Sequence, residues 1–407
     1  MIEYLISFAL AFIVAFAATP IAKRVAYKVG AVDVPKDGRR MHKRPLARLG
    51  GLAIISGFLF SLLFNVVSSF FGILSPVTFS RQLLGLIIGI LIIISIGFLD
   101  DVRPLKAKYK LAFQIAAALI VAYTGTRIEI ATIPFTKDGT LHFDKFYILS
   151  YVLTVLWIVG ITNAINLIDG LDGLAAGITA IASLSLFIVS LIYDRWDMAV
   201  LTAILAGATL GFLPYNFNPA KIIMGDTGAY FLGFVLGVIS IKGTLKSYTA
   251  IAIVIPLLIL GLPLFDTLFA IIRRILKRKP IMAPDRSHLH HRLIDMGLTT
   301  RQSVLILYIV SSVLGLGAIV LADKGAFTAV ILIVAISAFV IGGARYMNQI
   351  NSNDYEDVKK VRIEEGPPEE EGREKGKTAE AEDKGPDTGT AGIVPEAAVN
   401  DISNKAG

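Results

Sequence analysis

The chain of 407 residues contains no cysteine. Disulfides and thiolate metal sites are therefore excluded. Charge is scarce: Asp, Glu, Lys and Arg make up 17% of residues, and they gather in a few segments between long apolar runs. With a mean hydropathy of +0.68, a soluble globular class is excluded. No basic region precedes the first apolar run; Glu3 stands there, and Lys23 and Arg24 follow. That run reads as a retained helix rather than a cleavable signal. There is no soluble basic domain, so nucleic acid is not expected as a partner, and no internal repeat is visible.

What is present is a series of apolar runs, each close to the ~20 residues a spanning helix needs. Eleven are centred near Ala11, Phe58, Ile90, Ala118, Val155, Ser183, Leu205, Val235, Leu258, Ser312 and Val334. The expected fold is an all-α polytopic membrane protein of about eleven transmembrane helices. The segment from Lys23 to Arg48 is dense in Lys and Arg. The positive-inside rule puts it in the cytoplasm and the N-terminus outside. Counting onward places Asp100–Lys110, Asn163–Gly173, Asn216–Gly228 and Arg273–Arg301 on the same cytoplasmic face. The expected location is the plasma membrane, against membrane lipid. Outside, Arg127–Phe146 alternates around Asp138-Gly139 and reads as a small β-hairpin. From Asn351 to Gly407 the chain carries 8 basic and 15 acidic residues, a net of −7 against an overall +7. The expected division is a transmembrane catalytic domain over 1–345 and a disordered acidic cytoplasmic tail over 346–407.

Five polar stretches interrupt the apolar pattern. Asp100-Asp101 ends the third run; adjacent carboxylates recruit a divalent cation or share a proton, but a solvated acidic helix end fits as well. Asn163–Gly173 holds Asn166, Asp169 and Asp172 at a spacing of three, with Gly170 and Gly173 allowing tight turns and close approach to a ligand. Carboxylates beside hydrocarbon normally mark function. Asn216–Gly228 contains a Pro-bounded turn and then Gly225-Asp226-Thr227-Gly228, where Asp226 either serves a ligand or caps the next helix. His288, His290 and His291, flanked by Arg286 and Arg292, suit phosphate contact better than zinc, because adjacent histidines point different ways. Last, Asp33-Val34-Pro35 and Arg39 to Gly51 read as an accessory anion-binding loop.

In this order, the Asp100-Asp101 pair, NAINLIDGLDGLA at 163–175, NFNPAKIIMGDTG at 216–228 and HLHH at 288–291 resemble the polyprenyl-phosphate N-acetylhexosamine-1-phosphate transferases. The His loop and the first loop are similar to the WecA/TagO branch of that family. The resemblance implies a Mg²⁺-dependent enzyme, with Mn²⁺ as a substitute. Its substrates would be undecaprenyl phosphate and a UDP-N-acetylhexosamine, UDP-N-acetylglucosamine in this branch. It implies Asp226 as main metal ligand with Asn166 and Asp169, and Asp100, Asp101 and Asp226 as catalytic groups. Lys110, Asp172, Asn216, His288, His290 and His291 are implied as substrate contacts. Members are often dimers, so a homodimer is admitted.

Three other readings compete. The first is the muramoyl-pentapeptide branch of the same family. The second is an ion-coupled transporter, for which Asp266 inside the ninth run is the best single residue. The third is a scaffold acting through the tail.

Overall fold

The computed structural model describes residues 1–34, 45–73, 77–128, 130–131, 141–142, 147–244, 251–278, 288–328, 330–332 and 334. The protein divides into a unit spanning Met1–Gly342 and a second, Gly343–Gly407, which lies outside the described residues together with the expected acidic tail.

The first unit is built on helices. They are α1 (Ile2–Val29), α2 (Gly51–Phe70), α3 (Arg81–Val102), α4 (Ala107–Tyr123), α5 (Tyr147–Ile168), α6 (Leu174–Ile192) and α7 (Trp196–Asn216), followed by α8 (Gly225–Thr244), α9 (Ile251–Ile259), α10 (Gly261–Leu276), α11 (Leu289–Asp295) and α12 (Thr300–Lys324). Two short antiparallel strand pairs join them. β1 (Val32–Asp33) pairs with β2 (Leu46–Ala47), and β3 (Ile130–Ala131) pairs with β4 (Leu141–His142). The second pair is the hairpin expected within Arg127–Phe146; the first was not foreseen.

The expectation of about eleven spanning helices is corrected. Among the described residues, seven helices are long and apolar enough to cross a membrane: α1, α2, α3, α5, α6, α7 and α12. Residues Ile253–Ile259 and Gly261–Leu276 make an eighth span if their 85° bend is counted within one crossing. Two of the excess runs fall short for physical reasons. α4 has 17 residues, about 26 Å at ~1.5 Å per residue, short of a ~30 Å hydrocarbon core. Its Gln114 is buried against α5, where Asn163 Nδ2 donates to Gln114 Oε1 at 2.7 Å. α8 carries Asp226 in its first turn and Lys242 in its last. The run near Val334 lies largely outside the described residues.

Small residues set the packing. Gly207 and Gly211 of α7, one turn apart, lie against the carbonyls of Phe8 and Phe12 on α1, where a Cβ would collide. This is the close approach that membrane helices gain from small residues, where burial from water supplies no driving force. α8 runs through the middle of the unit: Phe231 and Phe234 are fully buried, and Phe231 meets Phe58 of α2 edge-on with ring centroids 5.3 Å apart. The N-terminus of α8 is held between α2 and α3, because Gly51 and Gly97 let the Thr227–Gly228 backbone approach directly. That clamp positions the site.

Candidate active site

The two carboxylates that end α3 have different surroundings. Asp101 is turned inward, with a fully buried side chain. It accepts from the Asp226 N–H at 2.8 Å, the Thr227 N–H at 2.9 Å and Thr227 Oγ1 at 2.6 Å. It therefore satisfies the orphan amides at the start of α8 from a neighbouring helix, a capping task with an acid at a positive helix end. Asp100 accepts from the Leu105 N–H and from Lys110 Nζ, both at 2.7 Å. Lys110 Nζ also lies 3.4 Å from Asp226 Oδ2. One ammonium thus bridges Asp100 and Asp226.

The first loop is part of this structure rather than an accessory to it. The Arg48 N–H donates to the Ala31 carbonyl at 2.9 Å, and the Ile223 N–H to the Ala47 carbonyl at 3.0 Å. Gly50 and Gly51 donate in turn to the carbonyls of Ile223 and Met224. Gly225 has φ +74°, and its Cα faces the Arg48 carbonyl and the Asp101 carboxylate, where a Cβ would collide. Glycine is needed there twice over, for its dihedral and for its missing side chain. The Arg48 side chain leaves this ladder to reach Asp101, Nε to Oδ1 at 3.2 Å, and Asp226, Nη2 to Oδ1 at 3.7 Å. Burial works against its charge, but Asp101 and then Asp226 outweigh burial and raise its pKa.

The Asn163–Gly173 stretch spans the end of α5 and the turn into α6. Asn166 Nδ2 is 3.1 Å from Asp226 Oδ1. The Asp169 N–H donates to the Asn166 carbonyl at 3.3 Å, while its carboxylate accepts no hydrogen bond among the described residues. Burial, reinforced by Asp226 and Asp101, pushes its pKa up to about 7. Asp172 accepts from Asn218 Nδ2 at 2.9 Å and from the Ala220 N–H at 3.0 Å. Asn216 is buried with both amide ends engaged, accepting from the Gly173 N–H at 3.1 Å and donating to the Ile222 carbonyl at 3.0 Å. It lashes the two loops together. One N–H and one oxygen lone pair of the amide remain beyond these two bonds, and Asn216 lines the cavity described below. Tyr308 of α12 donates to the Gly173 carbonyl at 2.6 Å, and Gly173 itself has φ +82°.

The histidines sit at the start of α11. His288 Nδ1 is 2.9 Å from Asp266 Oδ2, and the Leu289 N–H donates to Asp266 Oδ1 at 2.9 Å. His290 is buried against the Gly170 backbone. Burial, with His291 beside it, pulls its pKa down to about 4. The rings of His290 and His291 have centroids 4.3 Å apart.

A cavity of about 370 Å³ gathers these elements. It is lined by Arg48, Asn166, Asp169, Asp172, Asn216, Asp226 and His291, with Asp33, Asn218 and Thr300 among the others. Asp100, Asp101, Lys110, His288 and His290 stand behind its walls. Among the described residues, no three His, Cys, Asp or Glu side chains are grouped to hold a metal by themselves. Mg²⁺ needs no such group: it binds through one or two carboxylates, substrate phosphates and water. The all-oxygen donors of Asp226, Asp169 and the Asn166 amide fit a hard divalent cation and not a soft one.

Sequence reasoning missed four residues here. Arg48 was one basic residue among nine in a loop whose charge anchoring already explained. Asp266 stood out only as an intramembrane acid. Thr227 and Tyr308 carried no signal; a hydroxyl becomes legible only when its acceptor is located.

Comparison with known proteins agrees with this geometry. The glycosyl transferase family 4 model matches residues 83–244. A probable undecaprenyl-phosphate N-acetylglucosaminyl 1-phosphate transferase of Bacillus subtilis is 42% identical over 340 residues, covering 84% of this chain and 91% of that protein. A decaprenyl-phosphate N-acetylglucosaminephosphotransferase of Mycolicibacterium smegmatis is 35% identical over 350 residues, covering 81% and 85%. An undecaprenyl-phosphate alpha-N-acetylglucosaminyl 1-phosphate transferase of Escherichia coli K12 is 26% identical over 330 residues, covering 79% and 85%. With the Asp226 site assembled and relatives of this closeness spanning most of its length, the chain belongs to glycosyl transferase family 4, in its WecA/TagO-like branch.

Proposed function

We propose that the protein transfers N-acetylglucosamine 1-phosphate from UDP-N-acetylglucosamine to undecaprenyl phosphate. The products are UMP and undecaprenyl-diphospho-N-acetylglucosamine, in the first membrane step of a cell-surface glycan. One observation carries the reading: a single cavity joins Asn166, Asp169 and Asp226 to Arg48, with Lys110 bridging Asp226 to Asp100 behind it. The Bacillus and Mycolicibacterium relatives are both named for N-acetylglucosamine, which supports that sugar over a muramoyl pentapeptide.

In this reaction an oxygen of the lipid phosphate attacks the sugar-bearing phosphorus. The bond from that phosphorus to the bridging oxygen breaks, and UMP leaves with the oxygen. Such transfers depend on positioning and charge stabilisation more than on covalent chemistry. Asp226, with Asn166 and Asp169, would hold Mg²⁺, and Mn²⁺ as a substitute. When bound, the cation neutralises diphosphate charge. Asp100 keeps Lys110 in place and engages the lipid phosphate, which is already anionic near neutral pH and needs little help from a base. Asp101 positions the Asp226 turn. Asp172 serves the uridine side of the cavity, and His291, backed by His290 and His288, serves the diphosphate and sugar. A second cavity, about 610 Å³, is walled by Leu262, Phe265, Phe269 and Ile272 with Arg273 and Lys277 among its lining. An apolar trough with basic residues suits a lipid with a phosphate head.

The catalytic unit in this reading is contained in 1–345, with the acidic segment 346–407 outside it. The density of Lys and Arg between Lys23 and Arg48 supports a cytoplasmic site.

The test uses the purified full-length protein with undecaprenyl phosphate, Mg²⁺ and a panel of UDP-sugars, scored by UMP release. Turnover with UDP-N-acetylglucosamine is expected. No turnover with any UDP-N-acetylhexosamine overturns the reading, and turnover with the muramoyl pentapeptide donor alone moves the chain to the other branch.

A further inference from the structure

We propose that Arg48 is a catalytic residue of this site: its guanidinium balances the charge of the acidic cluster and serves the diphosphate oxygens during transfer. The inference rests on the phosphoryl-transfer reading above.

Its position is imposed by backbone. The Arg48 N–H is bonded to Ala31, and the flanking Ala47 and Gly50 are bonded to Ile223. Gly225 closes on the Arg48 carbonyl with no room for a side chain. The side chain therefore starts within one residue of the Asp226 turn and cannot drift from it.

Its contacts divide the work on Asp226. Arg48 approaches Oδ1, and Lys110 approaches Oδ2. At 3.7 Å the Oδ1 contact is an ion pair and not a close hydrogen bond. The firmer contact, at 3.2 Å, is to Asp101. Arg48 is thus fastened to the capping acid and only leans on the proposed metal ligand. It can release Oδ1 to a cation without losing its place. A guanidinium has five N–H donors in a fixed fork. These two contacts use Nε and one Nη, and the half-buried group lines the cavity. Donors remain for phosphate oxygens, to which Arg is well matched.

Charge gives the discriminating consequence. Four carboxylates, Asp100, Asp101, Asp169 and Asp226, cluster here with Arg48 and Lys110, and Asp33 and Asp172 add two more to the cavity lining. Replacing Arg48 by a neutral side chain makes the cluster more negative. A divalent cation should then bind more tightly while phosphoryl transfer slows. A residue that merely held the fold would weaken both together.

The experiment compares wild type, Arg48→Gln and Arg48→Lys as full-length protein in detergent. Mn²⁺ binding without substrate is read by electron paramagnetic resonance, and turnover by UMP release. For Arg48→Gln we expect Mn²⁺ bound about threefold tighter or more, with kcat down about 100-fold. For Arg48→Lys, Mn²⁺ affinity stays at the wild-type level and kcat falls about tenfold, because charge is kept and the fork is lost. Full turnover by Arg48→Gln, or looser Mn²⁺ binding with it, overturns the proposal. Should Arg48→Gln not fold, wild-type kcat in Arg48→Lys overturns it and the tenfold loss upholds it. An inactive wild type instead refutes the function proposed above; tighter Mn²⁺ binding by Arg48→Gln would then uphold the charge balance on its own.

Discussion

Asp266 holds His288 by one carboxylate oxygen and caps the first turn of α11 with the other, each at 2.9 Å. The residue that most favoured a transporter in the sequence is thereby accounted for: it fixes the histidine loop from α10. An imidazole held through Nδ1 by Asp266 has its ring orientation and tautomer set by that contact. Asp266→Asn should cut kcat/KM by about 10- to 100-fold, since that tautomer is lost with the carboxylate. Measured in a cycle with His288→Ala, the double variant should be no worse than the poorer single one. Additive losses would show that the two act separately.

Asp101 behaves differently from Arg48 under substitution. Thr227→Val removes one donor from a fully buried carboxylate and should lower stability by about 1–3 kcal/mol. Thermal unfolding in detergent reads that directly. Because the cap sets the Asp226 turn, Asp101→Asn should lower kcat and weaken Mn²⁺ binding together. A variant with intact metal affinity would contradict the capping role.

His290 is expected to stay neutral throughout the working range of the protein. Its folded pKa, about 4, lies below the ordinary histidine value. Protonation therefore opposes the fold: the stability held at this site is complete above ~6.5 and is lost as pH falls toward 4. The profile of kcat/KM between pH 6 and 8 should keep its shape in His290→Gln, because that ratio reports free-enzyme groups. An inflection near 6.5 that vanished in the variant would contradict this.

Tyr308 ties α12 to the turn that carries Asp172. Tyr308→Phe leaves the Gly173 carbonyl without its 2.6 Å donor, at a cost of about 1–3 kcal/mol. The expected kinetic effect is an increase of roughly three- to tenfold in KM for UDP-N-acetylglucosamine, with kcat little altered. A loss confined to kcat would place Tyr308 in the chemical step instead.

The parts of this molecule that were legible in the sequence are those encoded locally. Apolar runs announced the membrane, and Asp100-Asp101, Asn163–Gly173, Asn216–Gly228 and the His loop each advertised themselves by polar residues between such runs. What was not legible was set by partners far along the chain. Gln114 interrupts the run near Ala118, and its partner Asn163 lies 49 residues further along the chain. The two internal bonds of Asn216 are made to the backbone of Gly173 and Ile222, partners that the sequence does not mark. The count of eleven spans failed for a related reason: an apolar run states that a segment is buried, and helix length, terminal charge and bending bear on whether it crosses.

The bond between Asp101 and Thr227 closes a gap of 126 residues. At a synthesis rate of roughly 5–20 residues per second, a nascent chain waits about 6 to 25 seconds between making the acid and making its partner. For that interval Asp101 sits at the end of an apolar helix with Arg48 as the cation already synthesised. The pairing of Asp101 with the start of α8 is thus a late event of assembly, made only after α4, α5, α6 and α7 have been synthesised.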